Sequence, residues 1–205
     1  MSTGVVIAGG RSTRFGDEDK AVADLAGTPM VRRVADRLAP AVESLVVNCR
    51  EDQREAIAAA LDGYDLPVEF AVDEDPDEGP MAGIRTGLRA VPTEYAFVVA
   101  CDMPFLDPDL VSYLFERAAG HDAAVPRPEE WFETTHAAYR ADAMADACEA
   151  ALARGDRKVV APLFDLDYVT VGADELRERG SLDSLDSLDT REAFDAAADR
   201  LRRQA

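Results

Sequence analysis

Lysine is nearly absent from this chain of 205 residues: Lys20 and Lys158 stand among 22 basic residues, and all the others are arginines. Because 41 acidic residues outnumber the basic ones, the formal net charge is −19. Such a surface repels nucleic acid phosphates and anionic membranes, so we exclude nucleic acid and membranes as partners. An acidic, lysine-poor surface is typical of salt-loving organisms, where high ionic strength screens the self-repulsion. In a chain that avoids lysine, the two that remain are candidates for a function.

Cysteine, histidine and long apolar runs are also scarce. Cys49, Cys101 and Cys148 are widely spaced without a CxxC pair, which excludes a disulfide framework or a thiolate zinc site. His121 and His136 lie far apart and form no metal-ligand pattern. No apolar run is long enough to span a bilayer, and the N-terminal one ends in an arginine rather than a cleavage site. We therefore expect a soluble, cytoplasmic protein.

Apolar runs of strand length alternate with segments of helical period in the first half of the chain. The predicted strands are Gly4–Ala8, Ser44–Asn48, Val68–Val72 and Tyr95–Ala100. The predicted helices are Met30–Ala39, Gln53–Leu61, Met81–Ala90 and one capped by Asp107. The strands do not alternate polar and apolar residues, which is typical of a parallel sheet covered on both faces. The pattern predicts an α/β fold: a three-layer, doubly wound, Rossmann-like sheet with ligands beyond the carboxyl ends of its strands.

The second half is less regular. It contains predicted strands near Ala123–Val125, Thr135–Tyr139 and Tyr168–Val171 and predicted helices at Asp142–Arg154 and Thr190–Arg203. The segment SLDSLDSLDT, residues 181–190, is of low complexity, and we interpret it as a polar connection that tolerates slippage. Asp189 followed by Glu192 matches a capping box, which predicts that the last helix begins there.

A glycine-rich loop, AGGRSTRFGDEDK at residues 8–20, follows the first predicted strand. Gly9 and Gly10 supply backbone N–H groups that can turn toward an anion without obstruction by a Cβ atom. Arg11, Arg14 and Lys20 add positive charge. The glycine spacing fits neither GxxxxGK[ST] nor GxGxxG. The alternative is a surface turn with solvated arginines, but three cations after a buried strand favour phosphate binding.

Polar residues end three other predicted strands. Asp102 follows the strand at residues 95–100, where a carboxylate either holds a hard cation such as Mg²⁺ or caps the next turn. The motif alone leaves both interpretations open. Asp73 ends another strand in the same way. On spacing alone, Asn48 is interpreted as satisfying a turn rather than contacting a base or ribose.

Together, these segments resemble the MobA-type molybdenum cofactor guanylyltransferases. VVIAGGRSTRFGDEDK, GTPM, VVN, VDEDPDEGPMAGI and ACDMPFL occur in the order of the family's LAGGxSxRFGxDK, GxPL, VVxN, GPLAGI and CDxPFL. The resemblance extends from about Gly4 to Leu110. Afterwards it is weaker: RGDRKV resembles a family segment G-x-R-x-V, and SLDTRE resembles NxNTPE. Ser187 and Asp189 replace the family's two asparagines, which lie toward its pterin, so the acceptor contacts stay open.

The resemblance implies one nucleotidyltransferase (GT-A-like) domain, with a nucleotide-binding half at residues 1–110 and an acceptor-binding half at residues 111–205. It implies Mg²⁺-dependent transfer of GMP from GTP to the terminal phosphate of molybdopterin, with release of pyrophosphate. Molybdopterin-carrying proteins or molybdoenzymes are the implied protein partners. The implied nucleotide contacts are Ile7, Ala8, Gly9, Lys20, Asn48 and Asp73, with Mg²⁺ on Asp102. We expect Lys20, Arg14 and the loop N–H groups, including that of Gly10, to hold the β- and γ-phosphates.

Other functions compete with this one. CMP transfer to molybdopterin and GMP transfer to a cobalamin precursor, cobinamide phosphate, use the same chemistry. A non-catalytic nucleotide-binding regulator is a further alternative, which the intact Lys20 and Asp102 disfavour. A dinucleotide-dependent oxidoreductase has the weakest support, because the glycine spacing differs. Arg157 and Lys158 either hold the anionic acceptor or form an exposed basic helix end.

Overall fold

The fold is organised around a seven-stranded sheet. The computed structural model describes residues 2–10, 19–73 and 78–204. The strands are β1 (Thr3–Ile7), β2 (Asp24–Leu25), β3 (Thr28–Pro29), β4 (Ser44–Cys49), β5 (Val68–Val72), β6 (Tyr95–Ala100), β7 (Ala123–Arg127), β8 (His136–Arg140) and β9 (Tyr168–Gly172). The helices are α1 (Met30–Leu38), α2 (Arg54–Ala60), α3 (Pro80–Arg89), α4 (Pro108–Ala118), α5 (Ala141–Ala153), α6 (Ala173–Arg179) and α7 (Arg191–Gln204).

The sheet has the order β5-β4-β1-β6-β8-β7-β9, and β2 pairs with β3 in a separate hairpin. Pairing is parallel from β5 through β6 and again between β7 and β9. β8 runs antiparallel to both of its neighbours, β6 and β7. The α/β fold with a mostly parallel sheet is confirmed.

Both faces of the sheet are covered, which explains why the central strands β1 and β6 are mostly apolar along their length. Successive side chains of a strand point to opposite faces. Val5 belongs to the apolar cluster that contains α3 and α5, whereas its neighbour Val6 belongs to the cluster that contains α1, α2, α4 and α6. A third, smaller cluster joins α7 to the β2–β3 hairpin through Leu25, Leu188 and Phe194. The three layers predicted from the sequence are therefore present.

Two elements and one cap differ from the prediction. The β2–β3 hairpin has strands of two residues each, too short to produce a pattern. α6 buries only Leu176 among charged residues and so has no apolar stripe. The capping box at Asp189 was wrong: Thr190 Oγ1 accepts from the backbone N–H of Ala193, 3.1 Å away, and α7 begins at Arg191. Within the described ranges, no helix is long and apolar enough to cross a membrane.

Ser184 fixes the register of the repetitive segment at residues 181–190. It is fully buried, and its Oγ accepts from the backbone N–H of Asp107 at 2.8 Å. The same Oγ lies 3.2 Å from Nε2 of His136, which is also fully buried. The interpretation of this segment as tolerant of slippage is therefore wrong, because one serine of the repeat is held between α4 and the sheet.

Burial of His136 predicts acid sensitivity. Burial lowers the pKa of His136 to about 3, although the Asp107 carboxylate acts in the opposite direction. An unfolded histidine has a pKa near 6.5. Because the folded pKa is the lower one, the stabilisation is complete above about pH 6.5 and is lost as the pH falls toward 3. His136→Gln should reduce the acid-side slope of the unfolding free energy by up to about 1.4 kcal/mol per pH unit.

Urea titrations at fixed high salt between pH 4 and 7 measure this slope. His121→Gln is the matched control, since His121 is partly exposed beside Asp167. An unchanged slope in His136→Gln contradicts the prediction.

Candidate functional site

A cleft of about 480 Å³ opens where β1, β4 and β6 end. Parallel register brings these ends together, because Ile7 lies beside Asn48 on one side and beside Ala100 on the other. The start of α3 also opens onto the cleft, through Gly79 and Pro80. The predicted nucleotide and metal contacts that the structure describes all line this cleft: Ile7, Ala8, Gly9, Gly10, Lys20, Asn48, Asp73 and Asp102.

Asn48, which is fully buried, and Asp73, which is partly buried, form a pair beneath the start of the glycine-rich loop. Asn48 Nδ2 donates to Asp73 Oδ1 at 2.7 Å and to the carbonyl of Ala71 at 3.1 Å. A Cβ atom on Gly9 would lie 2.6 Å from Asp73 Oδ2, and one on Gly83 would lie 2.5 Å from Asn48 Oδ1. Both glycines are therefore required by close approach of this pair. The interpretation of Asn48 as a turn residue is wrong, since its side chain binds β5 and faces the cleft.

The electrostatics of the pair reflect its burial. Burial raises the pKa of Asp73, while hydrogen bonds from Asn48 and Thr86 act in the opposite direction. Asn48 Oδ1 is buried and has no hydrogen-bond partner among the described residues. An unsatisfied buried acceptor is costly, so this oxygen suits a ligand that donates a hydrogen bond inside the cleft.

Arg50 holds the beginning of the loop. Its Nη1 donates to the carbonyls of Gly9 at 3.0 Å and Gly10 at 2.9 Å. With these two carbonyls bound to Arg50, the peptide groups at the start of the loop have a fixed orientation. Sequence reasoning missed Arg50, which stands two positions after Asn48 and in the sequence is one of 20 arginines.

Gln53 connects the two ends of the loop. Its Nε2 donates to the carbonyl of Ala8 at 3.1 Å and to Asp19 Oδ2 at 2.6 Å. The other oxygen of Asp19 accepts from the N–H of Ala21 at 3.0 Å and so caps a 3₁₀ turn, Lys20–Val22. This chain of contacts positions Lys20. Sequence reasoning assigned Gln53 only to a predicted helix. The one feature of the sequence that could have indicated its role is its position, as a polar residue at the start of that helix.

Lys20 and Asp102 meet directly. Lys20 Nζ donates to Asp102 Oδ2 at 2.6 Å, and Lys20 is only 8% exposed. Asp189 Oδ1 lies 3.7 Å from the same ammonium group. Asp189 is held there because the N–H of Leu188 donates to the backbone carbonyl of Asp102 at 2.9 Å. The residue predicted to cap α7 is thus a wall of the cleft instead.

Four other candidates from the sequence remain: Arg11, Arg14, Arg157 and Lys158. Arg14, like Arg11, lies outside the described residues. Arg157 and Lys158 are exposed in the connection after α5 and do not line the cleft. Cys101 does line it, and burial raises the pKa of its thiol, so the group stays protonated.

A glycine loop, a buried lysine and a strand-end aspartate in one cleft of a doubly wound sheet define a nucleotide-binding α/β protein. Comparison with known proteins specifies the family. The model of the MobA-like NTP transferase domain matches residues 4–171. The chain belongs to this family and is a nucleotidyltransferase.

Individual relatives cover nearly the whole chain. A protein of Natronomonas pharaonis named probable molybdenum cofactor guanylyltransferase is 59% identical over 199 residues, which is 97% of this chain and 98% of that protein. One of the same name from Haloferax mediterranei is 37% identical and covers 96% of this chain and 93% of its own. The crystal structure of molybdopterin-guanine dinucleotide biosynthesis protein A from Archaeoglobus fulgidus has a TM-score of 0.80 at 27% identity and covers 98% of this chain and 99% of its own.

Two neighbouring glycines provide a test of the close packing beneath the loop. Gly9→Ala places a methyl group against Asp73 Oδ2, which the hydrogen bond from Asn48 keeps in position. We expect it to lower the unfolding free energy by about 1–3 kcal/mol. Gly10→Ala meets no atom of the described residues within 4 Å and should change the unfolding free energy by less than about 0.5 kcal/mol. Urea unfolding of the two variants measures the difference, and equal effects would contradict the packing argument.

Proposed function

We propose that the protein transfers GMP from GTP to the terminal phosphate of molybdopterin, with release of pyrophosphate and dependence on Mg²⁺. The product is molybdopterin guanine dinucleotide. The observation that carries the proposal is the 2.6 Å contact of Lys20 with Asp102 in a cleft whose other wall is the Gly9–Asn48–Asp73 group. The names of the relatives from Natronomonas pharaonis and Haloferax mediterranei support the nucleotide and the acceptor.

The reaction is a displacement at phosphorus. An oxygen of the acceptor's terminal phosphate attacks the α-phosphorus of GTP, and the bond from this phosphorus to the α–β bridging oxygen breaks. Pyrophosphate leaves with the bonding electron pair. The attacking phosphate is already ionised, so no side-chain nucleophile or general base is needed. The protonated Cys101 thiol, the one cysteine that lines the cleft, fits this scheme because it is not a nucleophile.

The phosphate groups bind to the loop and to Lys20 in this proposal. The N–H groups of Gly9 and Gly10 and the ammonium of Lys20 hold the β- and γ-phosphates, and we assign Arg14 to the same group. Ile7, Ala8, Asn48 and Asp73 contact the nucleoside. Lys20 exchanges its hydrogen bond to Asp102 for phosphate oxygens when GTP enters.

Asp102 fits the role of the metal ligand. Its Oδ2 faces Lys20, while its Oδ1 is buried and has no hydrogen-bond partner in the described part of the chain. Carboxylate oxygens are ligands that Mg²⁺ prefers, and the ion commonly completes its shell with water and substrate phosphates. In residues 2–10, 19–73 and 78–204, no group of three or more His, Cys, Asp or Glu is arranged to hold a metal. When bound, Mg²⁺ neutralises negative charge on the phosphate oxygens.

The acceptor belongs to the other half of the chain in this proposal, residues 111–205. Asp189 already faces the cleft, at a position where the family has an asparagine. Arg157 and Lys158 are exposed and would meet the anionic acceptor from solvent.

A nucleotide panel tests the function. The purified protein at high salt is incubated with Mg²⁺, molybdopterin and GTP, CTP or ATP, and pyrophosphate release is followed. We expect pyrophosphate release with GTP and none with CTP or ATP. Release with CTP but not GTP would overturn the assignment of the base, and no release with any nucleotide would overturn the transferase proposal.

Asp102→Asn should reduce pyrophosphate release by about a hundredfold or more, since the amide loses the charge that holds the cation. Folding is monitored by thermal unfolding. Asp109→Asn, an exposed position in the first turn of α4, is the matched control and should retain turnover. Full turnover in Asp102→Asn would contradict the assignment of Asp102 as the metal ligand.

Lys20→Gln should lower kcat/KM for GTP by about a hundredfold, since one buried charge that faces the phosphates is lost. The KM for molybdopterin should stay unchanged, because the proposal places Lys20 on the nucleotide. Steady-state kinetics with each substrate varied in turn separates the two constants. If Lys20→Gln has wild-type kinetic constants for GTP, the assignment of the glycine-rich loop to phosphate binding is wrong.

A further inference from the structure

Three consecutive carbonyls at the start of the glycine-rich loop are bound by the segment at residues 50–53. Gln53 Nε2 donates to the carbonyl of Ala8 at 3.1 Å. Arg50 Nη1 donates to the carbonyls of Gly9 and Gly10. Ala8, Gly9 and Gly10 line the cleft, whereas Arg50 and Gln53 are not among the described residues that line it. The three carbonyls are therefore held on the side of the loop that faces away from the cleft.

The N–H groups of Gly9 and Gly10 belong to the same peptide units as two of these carbonyls. The N–H and the C=O of a trans peptide point in opposite directions, and no peptide bond of the described residues is cis. Both N–H groups therefore point away from Arg50 and Gln53. Within residues 2–10, 19–73 and 78–204, neither of them donates to an acceptor. Adjacent backbone N–H groups without a partner are suited to an anion.

The guanidinium of Arg50 is itself fixed by a carboxylate. Its Nε donates to Asp52 Oδ1 at 3.0 Å and its Nη2 donates to Asp52 Oδ2 at 3.4 Å, which leaves Nη1 for the loop. The side chain is only 15% exposed. Because the group is planar and permanently charged, the two contacts with Asp52 set the direction in which Nη1 donates. Arg50 thus orients the loop from outside the cleft.

Gln53 holds the far end of the loop as well. Its Nε2 also donates to Asp19 Oδ2 at 2.6 Å, and Asp19 directly precedes Lys20. Its Oε1 accepts from the backbone N–H of Arg50 at 3.0 Å, so the two side chains form one unit. Gln53 is only 2% exposed. One buried amide therefore orients the peptide unit that carries the N–H of Gly9 and also positions Lys20.

We propose that Arg50 and Gln53 are positioning residues for the β- and γ-phosphates of the nucleotide, an inference that rests on the proposed function. They do not touch the nucleotide. They hold the N–H groups of Gly9 and Gly10, together with Lys20, in the orientation that binds phosphate before the nucleotide enters. Less conformational entropy is then lost when the phosphates bind, because the loop is already ordered.

Comparison of GTP with GMP tests this role, since GMP lacks the two phosphates assigned to the loop. Each nucleotide is titrated by calorimetry into the full chain at high salt with Mg²⁺ and without an acceptor. Arg50→Ala and Gln53→Met should each weaken the binding of GTP about tenfold and leave that of GMP unchanged. Unchanged binding of GMP also shows that the variants are folded. Equal weakening of both nucleotides, or wild-type affinity for GTP, overturns the proposal.

Two further variants separate positioning from charge. Arg50→Lys keeps the charge but lacks the planar group, so it should still weaken the binding of GTP by at least about threefold. Full affinity in Arg50→Lys would show that Arg50 acts through its charge, and would overturn its positioning role. Arg54→Ala is the matched control, because Arg54 is an exposed arginine of the same segment that lies over the ring of Phe70. It should bind GTP as the wild type does.

The outcomes distinguish the positioning role from the function. If the wild type transfers GMP while Arg50→Ala and Gln53→Met bind GTP normally, the positioning role is wrong and the function stands. If both variants lose affinity for GTP but not for GMP, and the wild type transfers no nucleotide, the positioning role stands and the proposed function is wrong. If the wild type binds GTP no more tightly than GMP, the assignment of the loop to the phosphates is wrong, and the positioning role is wrong with it.

Discussion

The parallel register of β4, β1 and β6 is the constraint on which the cleft depends. Ile7 is aligned with Asn48 and with Ala100, so the chain leaves all three strands at the same height. This register brings the start of the glycine-rich loop, Asn48 and Asp102 to one edge of the sheet, and Lys20 and Asp102 meet there although they are 82 positions apart in the sequence. A shift of one residue in either pairing would turn the side chains of that strand to the opposite face of the sheet.

Charge compensation within the cleft follows from this convergence. The ammonium of Lys20 lies against Asp102 and near Asp189. It therefore partly neutralises the negative charge of these two carboxylates inside the cleft. Lys20, one of the two lysines of the chain, lies inside the cleft. Arginine serves a different purpose beside it, since the planar group of Arg50 binds two carbonyls of the loop at once.

Much of the fold and part of the site could be predicted from the sequence, because both depend on local patterns. Val5 and Val6 face opposite layers, and their apolar neighbours in sequence indicate burial on both sides. Asp102 follows a predicted strand, and Lys20 ends the glycine-rich segment as one of only two lysines, so both could be found from local patterns. Gln53 and Arg50 could not be found this way, since their partners are carbonyls and a carboxylate distant in sequence. Asp189 was misassigned because the local sequence around it is the same whether it caps a helix or faces the cleft. The hydrogen bond from Leu188 to Asp102, which brings Asp189 to the cleft, joins residues that are distant in sequence.

The bridge made by Gln53 has a consequence for the position of Lys20. A single amide contacts both Ala8 and Asp19, so the two ends of the intervening segment are tied to α2 rather than to each other through the segment itself. The position of Lys20 is therefore set in part by a residue that lies outside the glycine-rich loop. Lys20 directly follows Asp19, so the contact of Asp19 with Gln53 helps to keep the lysine within hydrogen-bond distance of Asp102.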